Sequence, residues 1–291
     1  MIDSVGTRYN EVTVYCNVCK GKPAVYFRVF SGDKLCLSCL RRQLMRSVKR
    51  SIGRTGAFKP RSKIMVPISP RSPMASLGLA DIMARLERSY GSKVIVVIIE
   101  NLLVEIKGLE RLVELGVDVE TFSVDVNSLP IHQLDCMRLE RSIYLKISSI
   151  MGVNAIALAI SRTELALAAL DALLTGDPIY WSESLDYIDS NPPIIAAFSN
   201  VEAEAVTAYS VLSGYRGDSM CKPRFRSKRI FYSISSRRPE LEFSSSKTVD
   251  LLSSAASKGY KRCTLCYGYS EGEVCSVCRS LRVDSISVRR A

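Results

Sequence analysis

The sequence predicts an α/β fold, a doubly wound parallel sheet flanked by an N-terminal and a C-terminal four-cysteine zinc module. Three observations predict it. Apolar runs of strand length alternate with segments of helical period, glycines stand where the helical segments should stop, and eight of the ten cysteines fall into two paired C-x2-C quartets.

The strand-length runs are 63–69, 93–99, 119–124, 154–160 and 194–199, which read as strands rich in Val and Ile. Between them, 73–90, 106–116, 134–152 and 163–176 carry helical periodicity, with Gly116, Gly152 and Gly176 as C-terminal stops. Asn200 is placed to cap a further helix running to about residue 213. Strands alternating with helices call for a parallel sheet covered on both faces. Four segments follow: an N-terminal zinc finger at 1–40, a basic helix and linker at 41–63, the α/β body at 64–257, and a C-terminal zinc ribbon with a basic tail at 258–291.

Cys16, Cys19, Cys36 and Cys39 form one quartet with sixteen residues between its pairs, and Cys263, Cys266, Cys275 and Cys278 form another with eight. Two thiolates two residues apart can turn toward one ion, and a second such pair completes a tetrahedron suited to zinc. Each quartet lies in a segment too short to bury a core, so the metal supplies folding energy there. With four protein ligands each, these sites are closed and structural. The expectation is two structural zinc ions, an iron centre with the same ligands being the minor alternative. Disulfides do not suit paired C-x2-C units in an intracellular chain.

Forty Lys and Arg face 29 Asp and Glu, a net charge of +11. The imbalance is concentrated: 41–63 holds nine basic residues and no acid, and 222–238 holds seven more, whereas 163–215 holds eight acids and no Lys or Arg. Such polarisation predicts one basic side offered to a polyanion. The candidate contacts are Arg41, Arg42, Arg46, Lys49 and Arg50, and then Lys222, Arg224, Arg226, Lys228 and Arg229, with Phe225 or Tyr232 available to stack on bases. No apolar run approaches the roughly 18 residues of a membrane helix, and no secretory signal is visible, so a cytoplasmic protein without membrane association is expected.

Two cysteines remain. Cys136 sits near a helix start and Cys221 precedes a basic run, settings that favour thiolates, although an inert half-buried role is an equal alternative for each. His132 has no visible partner and reads as an ordinary histidine.

The order of cysteine knuckles, basic helix, α/β body and C-terminal ribbon resembles the tRNA 2-thiouridine synthetases of the PP-loop ATP pyrophosphatase superfamily, a HUP-like fold, in particular the wobble-uridine 2-thiolation proteins. The likeness is most specific over Cys263 to Tyr269, over Glu273 to Cys278, and from Cys136 to Asp177. It implies three working parts. A glycine-rich S-G-G-x-D-S loop would hold pyrophosphate; here the stretch reads Ser69, Pro70, Arg71, Ser72, Pro73, Met74, so only Ser69 survives, with Arg71 as a possible anion contact. A G-H-x-x-D-D element would lie over the nucleotide; here Ala159 to Glu164 keeps only Glu164. Three cysteines would hold an iron–sulfur cluster or carry sulfur; Cys136 and Cys221 match two, and Gln133 stands in place of the third.

The damaged motifs imply a pseudoenzyme with ATP not expected to bind and an iron–sulfur cluster not expected. As such it would be a tRNA-binding, non-catalytic subunit paired with an intact PP-loop paralogue, or with a second copy of itself. Two alternatives are an active ATP-dependent tRNA thiotransferase using Cys136 and Cys221, and a zinc-ribbon RNA- or ribosome-binding factor unconnected with thiolation.

Overall fold

The computed structural model describes residues 14–29, 31–126, 128–238, 240–245, 247–248 and 259–291. Its centre is a six-stranded sheet built from β3 (Lys63–Pro67), β4 (Lys93–Ile99), β6 (Asp118–Val124), β7 (Ala155–Ser161), β8 (Ile194–Phe198) and β12 (Val288–Arg290). The strand order is β12-β6-β4-β3-β7-β8, parallel throughout except for β12, which runs antiparallel to β6. Strands buried on both faces read as continuous apolar runs. Thus β4 is exposed only at its first residue, and β7 and β8 are buried along their whole lengths.

Alternation along each strand sorts the core into two layers. Met65, Ile95, Val97 and Ile99 face one side, where they meet α4 (Gln133–Met151) and α5 (Arg162–Thr175). Ile64, Val66, Val94, Val96 and Ile98 face the other, beneath α1 (Leu37–Thr55), α2 (Pro73–Glu87) and α6 (Ala203–Leu212). The doubly wound fold expected from the sequence is the one observed. Among the described residues no helix is long and apolar enough to cross a membrane.

Two local expectations are corrected. The segment expected as a helix over 106–116 instead holds the end of β5 (Leu103–Lys107) and a short α3 (Leu109–Glu114). Gly108 separates them at φ 95°, a left-handed conformation that stops a helix from passing through, and β5 finds a partner in β9 (Arg216–Ser219). Asn200 does not cap α6, which begins after Glu202; its side-chain amide donates to Ser51 Oγ at 3.0 Å.

Each cysteine quartet is joined to the body differently. β1 (Tyr26–Arg28) and β2 (Asp33–Leu35) form a hairpin, and Cys36 and Cys39 lie before and within the first turn of α1. At the other end come β10 (Lys261–Arg262), β11 (Tyr269–Ser270) and α8 (Ser276–Ser280). The chain then returns as β12 to extend the main sheet, where Arg290 donates to Glu120 at 2.8 Å. The basic tail therefore completes the sheet edge.

Beneath α6 lies a buried carboxylate, Asp81 of α2, 2% exposed. It accepts from Arg85 through Nε at 2.9 Å and Nη2 at 3.0 Å, from Tyr215 at 2.9 Å, and from the Tyr209 hydroxyl. Burial raises the pKa of Asp81, but hydrogen bonds from Arg85, Tyr209 and Tyr215 outweigh it and hold the group below the ordinary value. A carboxylate so depressed contributes stability that is fully present above its unfolded pKa of about 3.9 and is lost as the pH falls through its lower folded value. Asp81→Ala is predicted to cost about 2–3 kcal/mol in urea unfolding, because two buried phenols lose their acceptor and a partly exposed guanidinium its partner. Asp81→Asn should flatten the acid limb of the stability curve; an unchanged limb would count against this account.

Candidate functional site

In an open α/β sheet the binding crevice lies outside the carboxyl ends of the strands where their order reverses. Here the chain winds from β3 to β4 and β6 in one direction and to β7 and β8 in the other, so the reversal falls between β3 and β7. The loop leaving β3 holds Ser69, Pro70, Arg71 and Ser72, and the end of β7 leads through Ser161 into α5. This is where a phosphate would be cradled if the loop were built of glycines.

An internal carboxylate takes that place. Glu140 of α4 accepts from Ser69 Oγ at 2.9 and 3.0 Å, from the backbone N–H of Arg71 at 3.2 Å and from Arg71 Nε at 2.9 Å. Arg71 turns inward, its side chain 3% exposed, and its Nη1 lies 3.3 Å from Glu164. Burial alone would lower the pKa of Arg71, but Glu140 and then Glu164 raise it above the ordinary arginine value, so the guanidinium stays charged. Glu164 also closes a capping box with Ser161 at the start of α5, accepting from the Ser161 N–H at 3.0 Å. Ser69, Arg71 and Glu164 thus serve one buried charge cluster with Glu140. Pro73 fits as the opening residue of α2, where its missing N–H costs nothing. The Pro70 carbonyl accepts from Ser219 Oγ at the end of β9.

Sequence reasoning named Ser69 and Arg71 but missed Glu140. One signal was available: Glu140 stands four residues after Cys136, on the same helical face.

The structure brings Cys136 and Cys221 together, with their Sγ atoms 3.8 Å apart and the residues 1% and 7% exposed. They are beside the charge cluster, since Cys136 lies one turn before Glu140 and the Cys221 N–H donates to Ser219 Oγ at 2.9 Å. Hydrogen bonding between the two sulfurs splits their acidities. It raises the pKa of Cys136, helped by burial, and lowers that of Cys221, against burial. Cys221 is therefore the more acidic of the two thiols, and Cys136 Sγ lies 3.0 Å from the Pro130 carbonyl, an acceptor for its proton. His132 Nε2 lies 3.7 Å from a carboxylate oxygen of fully buried Asp171, beyond hydrogen-bond reach, and has no hydrogen-bond partner among the described residues.

Both quartets are assembled. In each, the four sulfurs lie within 4.8 Å of one another. The Cys19–Cys36 and Cys266–Cys275 separations are 3.7 and 3.8 Å, matching the edge of about 3.8 Å for a tetrahedron around one ion with 2.3 Å bonds. α4 fastens the C-terminal quartet to the body. Arg141 donates to the Cys266 carbonyl and, at 2.7 and 3.0 Å, to both oxygens of fully buried Glu183. Arg138 lies 2.8 Å from Glu183 and donates to the Tyr269 carbonyl at 3.0 Å.

The candidate polyanion contacts separate by position. Arg41, Arg42, Arg46, Lys49 and Arg50 lie on α1, all exposed except half-buried Arg41 and Arg46's neighbours on the inner face. Lys222, Arg224, Arg226, Lys228 and Arg229 are all exposed around the start of α7 (Lys228–Ser235). The first run packs over the α1–α2–α6 layer and the second over the α4–α5 layer, so the two are anchored on opposite faces of the sheet, where one basic side was expected. Asp171 fixes the second run by accepting the Arg226 and Ser227 N–H groups at 2.8 and 2.6 Å. Phe225 is 9% exposed and belongs to the core, so it cannot stack on a base; Tyr232 is 41% exposed.

Two outcomes are expected. Alkylation of the metal-loaded protein with iodoacetamide, followed by peptide mass mapping, should modify Cys221 before Cys136, and Cys136→Ser should slow modification at Cys221; the reverse order would contradict the greater acidity of Cys221. Cys278→Ser should remove one bound metal centre by elemental analysis and expose the C-terminal module to proteolysis while the N-terminal centre stays loaded.

No family model matches the sequence, and no curated protein matches it. The fold, however, is similar to that of the U34-tRNA thiolase NcsA from Methanococcus maripaludis, solved with its [4Fe-4S] cluster, at a TM-score of 0.68 and 20% identity over 92% of this chain and 95% of that one. At this identity the likeness establishes a shared architecture. It also corrects one cofactor expectation, that an iron–sulfur cluster is unlikely. A protein of the same fold carries such a cluster, and two assembled thiolate quartets offer the ligand type that clusters use.

Proposed function

We propose that this chain is a tRNA-binding subunit of a wobble-uridine 2-thiolation assembly and does not itself carry out the nucleotide-dependent step. The observation that carries this reading is the Glu140 carboxylate seated among the donors of the loop after β3. A polyphosphate entering that loop would have to displace a buried carboxylate from its arginine, and breaking such a pair costs about 3–5 kcal/mol. The proline-bearing backbone offers few N–H groups in return.

Retained function lies at the periphery: two metal knuckles and two basic runs with exposed side chains, the means of phosphate contact. An intact PP-loop paralogue, or a second copy, would supply the missing chemistry. The thiolase architecture supports the pathway assignment.

One observation favours a second reading, in which the chain handles sulfur itself. Cys136 and Cys221 meet beside the charge cluster, where an inert pair had no need to converge. Gln133 stands where the resemblance places a third thiolate, so the pair alone offers two ligands.

The purified, metal-loaded chain is predicted to bind tRNA with an affinity that falls steeply with salt. Replacing Lys222, Arg224 and Arg226 together should reduce the salt slope by about 1 for each phosphate left without its cation. Incubated with tRNA, ATP and sulfide, the chain alone should release no pyrophosphate and form no 2-thiouridine. Pyrophosphate release that depends on tRNA would overturn the non-catalytic reading in favour of the second.

A further inference from the structure

The N-terminal hairpin carries a surface that the body does not use. Along and beside β1, side chains alternate. Tyr26 and Arg28 are half-buried, with Arg28 3.5 Å from Glu202 of the body. Val25, Phe27 and Val29 point outward and are 48%, 54% and 80% exposed. An apolar stripe on the outside of a hairpin is costly in water unless something covers it.

The surroundings say what kind of partner fits. Lys34 stands directly opposite Phe27 in the antiparallel register, on the same face, and is exposed. The adjoining cysteine knuckle is tied to that strand by the Asn17 N–H, which donates to the Lys34 carbonyl at 2.9 Å, and it carries exposed Lys20 and Lys22. Among the described residues none of these three lysines has an ion-pair partner. From residue 14 to residue 80 the sequence has a single acid, Asp33. That carboxylate is already engaged by Arg28 at 3.2 Å and Ser31 at 2.7 Å. Glu202 of the body, the acid beside Arg28, is likewise engaged, by Arg162 at 2.8 Å. An exposed aromatic ring among unpaired cations, with Asp33 and Glu202 both paired, is complementary to an unpaired base and its phosphates.

We infer that the outer face of the β1–β2 hairpin is a stacking platform for an unpaired RNA base. Phe27 lies under the base, Val25 and Val29 border it, and Lys34, Lys20 and Lys22 meet the flanking phosphates. The inference rests on the tRNA-binding reading above and adds a base-contacting site to it. It also gives the N-terminal metal centre a task, because Cys36 ends the hairpin and the knuckle positions both lysines.

The test measures binding of fluorescent oligouridylate and of folded tRNA to the full-length, metal-loaded chain by anisotropy across a salt series. Phe27→Ala should weaken oligouridylate binding by about tenfold at unchanged salt slope, and Phe27→Trp should retain it. Phe27→Leu should behave like the alanine variant, because it keeps the apolar surface and loses the ring. Lys34→Ala should make the salt slope shallower by about 0.7. Phe27 is more than half exposed, so all variants should keep the wild-type metal content and melting midpoint, which are measured alongside. If wild type binds RNA and Phe27→Ala binds equally well, this inference fails and the tRNA-binding reading stands. Wild-type-like binding by Phe27→Leu also overturns it, and assigns the stripe to a protein partner. A wild-type chain that binds neither RNA sinks the tRNA-binding reading itself.

Discussion

The ion pair between Arg71 and Glu140 is the constraint around which the middle of this protein is arranged. A guanidinium 3% exposed to solvent must find a carboxylate, because an unpaired buried charge costs several kcal/mol. Glu140 can serve only if α4 lies directly behind the loop after β3, and that requirement propagates along the helix. Cys136, one turn earlier, is carried to Cys221, while Arg138 and Arg141, pointing another way, reach Glu183 and the backbone of the C-terminal knuckle. Two turns after Arg138, Lys146 donates to the carbonyls of Val283 and Ile286 at 2.7 and 2.8 Å. One helix therefore fixes the closed loop, the thiol pair and the metal module together.

An anion built into the fold differs from one that arrives. A bound phosphate must surrender translational freedom and part of its hydration, whereas Glu140 is held near its donors by the helix before any contact forms. The loop uses a hydroxyl, an amide and a cation to hold negative charge, as a phosphate loop does. Here the charge comes from the fold itself. Glu140 meets the loop's donors from within the fold, so Pro70 and Pro73 can restrict the backbone without leaving those donors unmet.

Much of this was legible in the sequence, and for physical reasons. The buried parallel strands announce themselves because both faces are apolar, and the two quartets because tetrahedral ligation demands paired spacing. β5 was missed, and its last two residues read as helix, because its register partner β9 lies more than a hundred residues away and alternation over five residues is weak. β12 was hidden for a similar reason: a basic tail with Arg289 and Arg290 looks solvated, yet an edge strand needs only one buried face. Convergence of Cys136 on Cys221 was beyond sequence, since it depends on how α4 and the segment after β9 meet in three dimensions. Glu140 was missed because an acid in a helix is ordinarily a solvated one, and only the inward turn of Arg71 makes it otherwise.

The same logic explains the charge pattern that first suggested a polyanion. The acid-rich stretch from 163 to 215 does not form an opposing negative surface, because several of its carboxylates are directed inward. Glu164 meets Arg71, Asp171 accepts the Arg226 and Ser227 amides, and Glu183 lies between Arg138 and Arg141. Glu202 is shared between Arg162 at 2.8 Å and Arg28 at 3.5 Å. Carboxylates satisfied inside the fold cannot neutralise cations outside it. Exposed arginines and lysines of α1, of the run before α7 and of the N-terminal knuckle consequently project positive charge into solvent. Internal pairing in the middle of the chain is thus what leaves its periphery electrostatically available.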